Sequence, residues 1–145
     1  MAKTTPFGIK RKQLKRLNIQ LRVKVTFEIN GGRREDCLKS RNISQTGICL
    51  DADQDQIEAL NILANFDRRE PPVLHLEIAL PNENEPVKFK GSVCWYDISF
   101  DKSSFRYQIG VVFIEPGQKE YRILKNFLKN TRENHGFFRR IFSLA

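Results

Sequence analysis

The sequence predicts a mainly β fold: a small antiparallel β-barrel with a C-terminal α-helix. Three observations carry that expectation. Short runs of alternating apolar and polar residues recur along the chain, the mark of strands half buried against one core. Clusters of Gly, Pro and Asn separate those runs. Only one long stretch, close to the end, has a broad apolar stripe at helical spacing. No strand–helix–strand rhythm is visible, which argues against a parallel α/β sheet.

The elements follow in order. Residues 1–9 read as a flexible leader, with Pro6 and Gly8 as breakers, and 10–16 form a basic knot. Leu21, Val23, Val25, Phe27 and Ile29 share one parity and Arg22, Lys24, Thr26 and Glu28 the other, which makes a half-buried strand. Asn30-Gly31-Gly32 closes it as a turn, and Glu35 to Arg41 returns as a second strand. Asn42 to Gly47 is a polar turn, and Ile48 to Leu50 a brief strand. Ile57, Leu60 and Ala64 are helically spaced after Asp53 and Asp55, so a short helix is expected over 53–65.

Pro71-Pro72 ends that excursion. Leu74, Leu76, Ile78 and Leu80 alternate again before the turn at Pro81-Asn82. Val87, Phe89, Val93 and Trp95 share a parity, with Gly91 expected at a bend or bulge. Trp95 is accordingly expected as a barrel residue, with a stacking platform as the alternative. Tyr107, Ile109, Val111 and Phe113 make the last strand, broken by Pro116-Gly117. Lys119 to Asn130 is a helix, its stripe formed by Tyr121, Leu124 and Leu128 and widened by Ile123 and Phe127. Residues 131–145 form a basic, Phe-rich tail for which packing on the barrel is expected.

A chain of 145 residues fits one domain with a core of its own. Three cysteines at wide spacing (Cys37, Cys49, Cys94) point to free thiols in a reducing compartment, hence a cytoplasmic location. Cys49 and Cys94 are expected as small apolar packers. No run approaches the roughly 18 apolar residues that read as a transmembrane helix, so stable membrane insertion is not expected. The net charge of +8 is uneven. Residues 1–41 carry 12 Lys/Arg against 3 Asp/Glu, residues 42–120 carry 7 against 13, and residues 121–145 carry 6 against 1. Basic ends around an acidic middle suit a local anion site better than a uniform nucleic-acid surface, so no nucleic-acid partner is expected.

His75 and His135 stand far apart and outside any ligand spacing, so no metal is expected. His75 reads as a strand-face residue. Asp51, Asp53 and Asp55 lack the Gly and late Glu of a calcium loop. No ordered nucleophile and base, phosphate loop or carboxylate pair suggests turnover, so the chain is not expected to be an enzyme.

Two segments carry chemistry. Arg11-Lys12-Gln13-Leu14-Lys15-Arg16 is either a solvated lead-in or an anion clamp. Long cations on a mobile segment can close over phosphates, and a guanidinium can lie flat on a purine. Asn42-Ile43-Ser44-Gln45-Thr46-Gly47 is either a self-bonded turn or a polar edge turned outward, where Asn and Ser suit a guanine rim. Gly47 would permit a backbone approach that a β-carbon blocks.

Taken together the order is specific. A basic knot, a strand hairpin and then Asn-x-Ser-x-x-Gly resembles the PilZ domain family. Gly91-Ser92-Val93-Cys94-Trp95 is similar to its Gly-x-Val-x-Trp strand, and Tyr107 to Phe113 to its closing Tyr-x-Ile-Gly-Val-x-Phe strand. The resemblance spans 10–130. It implies a small antiparallel barrel that binds the second messenger cyclic di-GMP as a ligand, with no cofactor, and signals to a protein partner in motility, biofilm or secretion control. The runner-up is a ligand-free adaptor of the same fold. By the resemblance, Arg11, Lys12, Arg16, Asn42, Ser44 and Gly47 are the ligand-binding residues. Lys12 stands where the family usually has the first Arg of Arg-x-x-x-Arg, which keeps the charge but loses the planar fork.

Overall fold

The computed structural model describes residues 16–29, 31–67 and 69–133. Arg11, Lys12, the leader and the tail beyond Glu133 lie outside the described residues. Six strands form a closed barrel in the order β1-β2-β3-β6-β5-β4, with every neighbouring pair antiparallel. They are β1 (Arg22–Ile29), β2 (Gly32–Ile43), β3 (Gly47–Asp53), β4 (Val73–Ile78), β5 (Val87–Asp101) and β6 (Ser104–Phe113). Helix α1 (Gln54–Leu60) follows β3, and helix α2 (Gln118–Glu133) ends the described chain.

The alternation read from the sequence is the wall of the barrel. Val23, Val25, Leu38, Leu50, Leu74, Leu76, Ile78 and Ile109 are all at most 1% exposed. Both helices pack against the barrel strands. Leu124 and Leu128 of α2 are fully buried in the same core as Ile57, Leu60 and Ile62 of the α1 region.

The expected helix over 53–65 divides. Asp53 and Gln56 form a capping box, each side chain accepting the other residue's backbone N–H at 2.9 Å. Asn61 then takes a left-handed conformation (φ 59°) and ends α1, leaving a single 3-10 turn at Leu63–Asn65. Helix α2 runs to Glu133, past the expected end at Asn130.

Two further corrections concern β5. Its register slips between Val93 and Trp95, so the bulge lies at Cys94 and not at Gly91. A bulge inserts one residue and reverses the parity beyond it. Trp95, expected inside by parity with Val93, therefore stands on the outer wall, 37% exposed. Cys94 is exposed as well, and is no core packer. β5 also continues to Asp101, and β6 begins at Ser104, so the two form a longer hairpin than the apolar runs suggested.

Candidate ligand-binding site

A pocket of about 600 Å³ opens on the outer wall, where β2, β3, β5 and β6 meet the segment that precedes β1. Its lining includes Arg16, Asn42, Ser44, Gly47, Cys49 and Trp95. Four of the six residues singled out in the sequence are thus in one place. The other two, Arg11 and Lys12, fall outside the described residues.

The placement of Arg16 has a plain cause. Leu17 pairs with Ile43 in both directions, N–H to carbonyl, at 2.8 and 3.0 Å. Ser40, buried in the wall, accepts the Leu21 N–H at 2.8 Å and donates to the Ile19 carbonyl at 2.7 Å. These bonds lay residues 17–21 along the end of β2, so Arg16 arrives beside Asn42 and the loop that follows. A second irregularity helps. The β2–β3 register slips between Ser40 and Asn42, which turns both Arg41 and Asn42 outward while Ser40 and Ile43 stay inside. Arg41 is paired to Asp51 at 3.8 Å.

The loop itself is self-bonded. Ser44 N–H donates to the Gly47 carbonyl at 2.9 Å, and Ser44 Oγ accepts the Thr46 N–H at 3.2 Å. Ser44 Oγ also lies 3.3 Å from Thr46 Oγ1. The hydroxyl thus shapes the turn, as the local reading expects, and Ser44 is among the residues that line the pocket. Gly47 has a requirement of its own. A β-carbon there would overlap the Val111 carbonyl oxygen on β6. The glycine is needed for β3 and β6 to close beside the loop. Gln45 points away from the pocket and accepts a hydrogen bond from the Tyr121 hydroxyl at 3.2 Å, tying the loop to α2.

The floor was less visible in the sequence. Gly110 lacks the β-carbon that would collide with the Trp95 indole, so the ring lies across β6. Thr46, Cys49 and Cys94 complete the lining and were not assigned to a site from the sequence. Thr46 had one available signal: a hydroxyl inside the same six-residue turn. The exposure of Trp95 and Cys94 had none, because the bulge that turns them outward has no marker residue. Burial pushes the Cys49 thiol up, aided by the Asp51 carboxylate and opposed by Arg41 and Arg16. Cys94 is exposed as a residue, but its sulfur lies against the Gly110 carbonyl at 3.3 Å, and this partial desolvation pushes the thiol up, opposed by backbone hydrogen bonds and by Arg16. Both thiols therefore stay protonated near neutrality, and the pocket's charge is that of Arg16. Among the described residues, no three His, Cys, Asp or Glu side chains are grouped to hold a metal.

The architecture is that of a closed barrel that holds a polar pocket outside its wall, with Arg16 in its lining. The PilZ domain family model matches residues 10–130, and the chain belongs to that family. A search of curated proteins returns no match. Among solved structures, the fold is similar to the Klebsiella pneumonia MrkH–c-di-GMP complex, with a TM-score of 0.63 and 15% identity over 87% of this chain and 53% of that one. It is similar to the Bacillus subtilis inhibitor of motility MotI/DgrA, with a TM-score of 0.57 and 20% identity over 85% and 52%. It is also similar to the c-di-GMP-bound PilZ domain of Escherichia coli YcgR, with a TM-score of 0.56 and 11% identity over 87% and 98%. At these identities the likeness is one of fold. The chain spans about half the length of the MrkH and MotI/DgrA chains. Among the described residues, no helix is long and apolar enough to cross a membrane.

Proposed function

We propose that this chain is a cyclic di-GMP receptor domain. It reads the level of the messenger by binding, without turnover, and passes it to a protein partner in the control of motility, biofilm formation or secretion. The observation that carries the reading is the convergence of Arg16 with Asn42, Ser44 and Gly47 at one outer-wall pocket. A guanidinium meets a phosphate through two parallel hydrogen bonds, and its flat face suits a purine. The Asn42 amide and the hydroxyls of Ser44 and Thr46 offer donors and acceptors for a guanine edge. Trp95 adds a flat aromatic surface on the pocket floor. Arg11 and Lys12 precede the anchored Arg16 by a few residues, so the knot would close over the ligand's phosphates. Free thiols at Cys37, Cys49 and Cys94 support a reducing, cytoplasmic setting.

The exclusion of a nucleic-acid partner expected from the charge distribution finds no support. MrkH, similar in fold, is a c-di-GMP-dependent transcription regulatory factor. Titration calorimetry of the full chain with cyclic di-GMP tests the reading. Saturable heat is expected, and a folded Arg16→Ala variant should lose most of it. A folded chain that gives neither heat nor a thermal shift at high micromolar ligand would overturn it.

A further inference from the structure

Strand β5 has fifteen residues, but β4 pairs with it only from Val87 to Ser92. Beyond the bulge at Cys94 its partner is β6 alone among the described residues. The two strands leave the barrel as a ribbon closed by Lys102 and Ser103, both at positive φ (49° and 70°). Two such residues in a two-residue loop make a type I′ turn. That turn sets the phase of the hydrogen bonds. Asp101 and Ser104 close it as a bonded pair, and pairing then alternates back along β5. Positions 97, 99 and 101 direct their backbone groups at β6. Positions 96, 98 and 100 direct theirs at the open edge. The Ile98 N–H agrees with this phase: it donates to the side chain of its neighbour, Asp97 Oδ1, at 3.0 Å.

The same three positions are apolar and, among the described residues, uncovered. Tyr96 is 40% exposed, Ile98 46% and Phe100 64%. They lie on the face that is core inside the barrel, since Tyr96 is opposite the fully buried Ile109. Phe105 extends the face, its ring 5.0 Å from that of Phe100, and Phe66 shields only one edge of Tyr96. Edge strands are normally blunted by Lys, Pro or a charge on the apolar face. Apart from the bulge at its base, residues 94–101 carry no Lys, no Pro and no charge on the apolar face; their two charges, Asp97 and Asp101, have the other parity.

We infer that β5 pairs antiparallel with β5 of a second copy of this chain, about a two-fold axis at Ile98. The contact is isologous, because one edge meets itself. Charge and the length of the free edge together select the register, since an axis at Phe100 runs the overlap onto the Lys102-Ser103 turn. An axis at Asp97 sets that residue against its own mate. An axis at Ser99 sets positions 97 and 101, both Asp, against each other. An axis at Tyr96 carries the overlap back to Ser92, which β4 already holds. The axis at Ile98 sets Tyr96 opposite Phe100 and Asp97 opposite Ser99, with no like charges facing. In that register the outward N–H and C=O groups of positions 96, 98 and 100 bond their mates. The Ile98 N–H exchanges the Asp97 side chain for a backbone carbonyl.

The inference is independent of the dinucleotide reading, since the ribbon edge does not line the pocket beyond Trp95. Sedimentation velocity of the full chain over a micromolar concentration series tests it, with amide exchange measured by NMR on the same samples. A monomer–dimer equilibrium is expected. Exchange at positions 96, 98 and 100 should slow as concentration rises, while 97 and 99 are protected at every concentration. Ile98→Lys places two ammonium groups at the axis and should weaken association at least about tenfold. A chain that stays monomeric throughout overturns the inference. So do open-ended aggregation, or a dimer that Ile98→Lys leaves intact.

Discussion

The pocket loop and the β5–β6 ribbon are built on the same sheet, yet they are held in opposite ways. Around the pocket, the loop and the segment before β1 are anchored. Ser40 pins the segment before β1, Ser44 shapes the loop, and Gly47 is dictated by the Val111 carbonyl. Along the ribbon, among the described residues, backbone groups on one edge have no strand partner and the apolar face is uncovered. A site preorganised for a small ligand needs the first arrangement. A surface with room for another chain has the second. The difference teaches that the barrel wall is specified where the chain crosses it, and left open where β5 outruns β4.

Substitutions break or sharpen that contrast, in descending order of expected effect. Arg16→Ala removes charge-assisted hydrogen bonds and should cost about 2–3 kcal/mol of cyclic di-GMP binding, read by calorimetry, with the melting transition unchanged. Gly47→Ala pushes a methyl group into the Val111 carbonyl and should destabilise the fold by about 2 kcal/mol in urea unfolding. Trp95→Ala strips the pocket floor without touching the core and should cost about 1–2 kcal/mol of binding. Lys12→Arg restores a planar fork and should tighten binding by about 1 kcal/mol; unchanged affinity would mean that position 12 does not face the ligand. Ile98→Ser on the ribbon should leave dinucleotide affinity unaltered and shift monomer stability by no more than about 0.5 kcal/mol.

The same two regions differ in how far the sequence disclosed them. The pocket's polar half was legible because its residues act where they stand in the chain. Arg16, Asn42, Ser44 and Gly47 form short local patterns, and one strand pair brings them together. The barrel was legible for the related reason that parity along each run is a direct record of burial. Parity fails at a bulge. Two outward residues in succession, Cys94 and Trp95, look like one in and one out, so the pocket floor was read as wall. The ribbon was hidden for a different reason. Its turn is Lys102-Ser103, where a type I′ turn usually shows Asn-Gly, so no turn signal separated β5 from β6. Its exposed Ile98 and Phe100 follow the core pattern without being core. The split of the helix expected over 53–65 has a similar origin, since the left-handed Asn61 interrupts an apolar spacing that continues to Ala64.

Amide mapping by two-dimensional NMR would test the central claim most directly, because it views both regions in one titration. With cyclic di-GMP added to the full chain, the largest shifts should fall on Arg16, Asn42, Ser44, Thr46, Gly47 and Gly110 and on the Trp95 indole N–H. Positions 98–105 should stay still. Shifts confined to the ribbon, or none anywhere in a folded chain, would contradict the account.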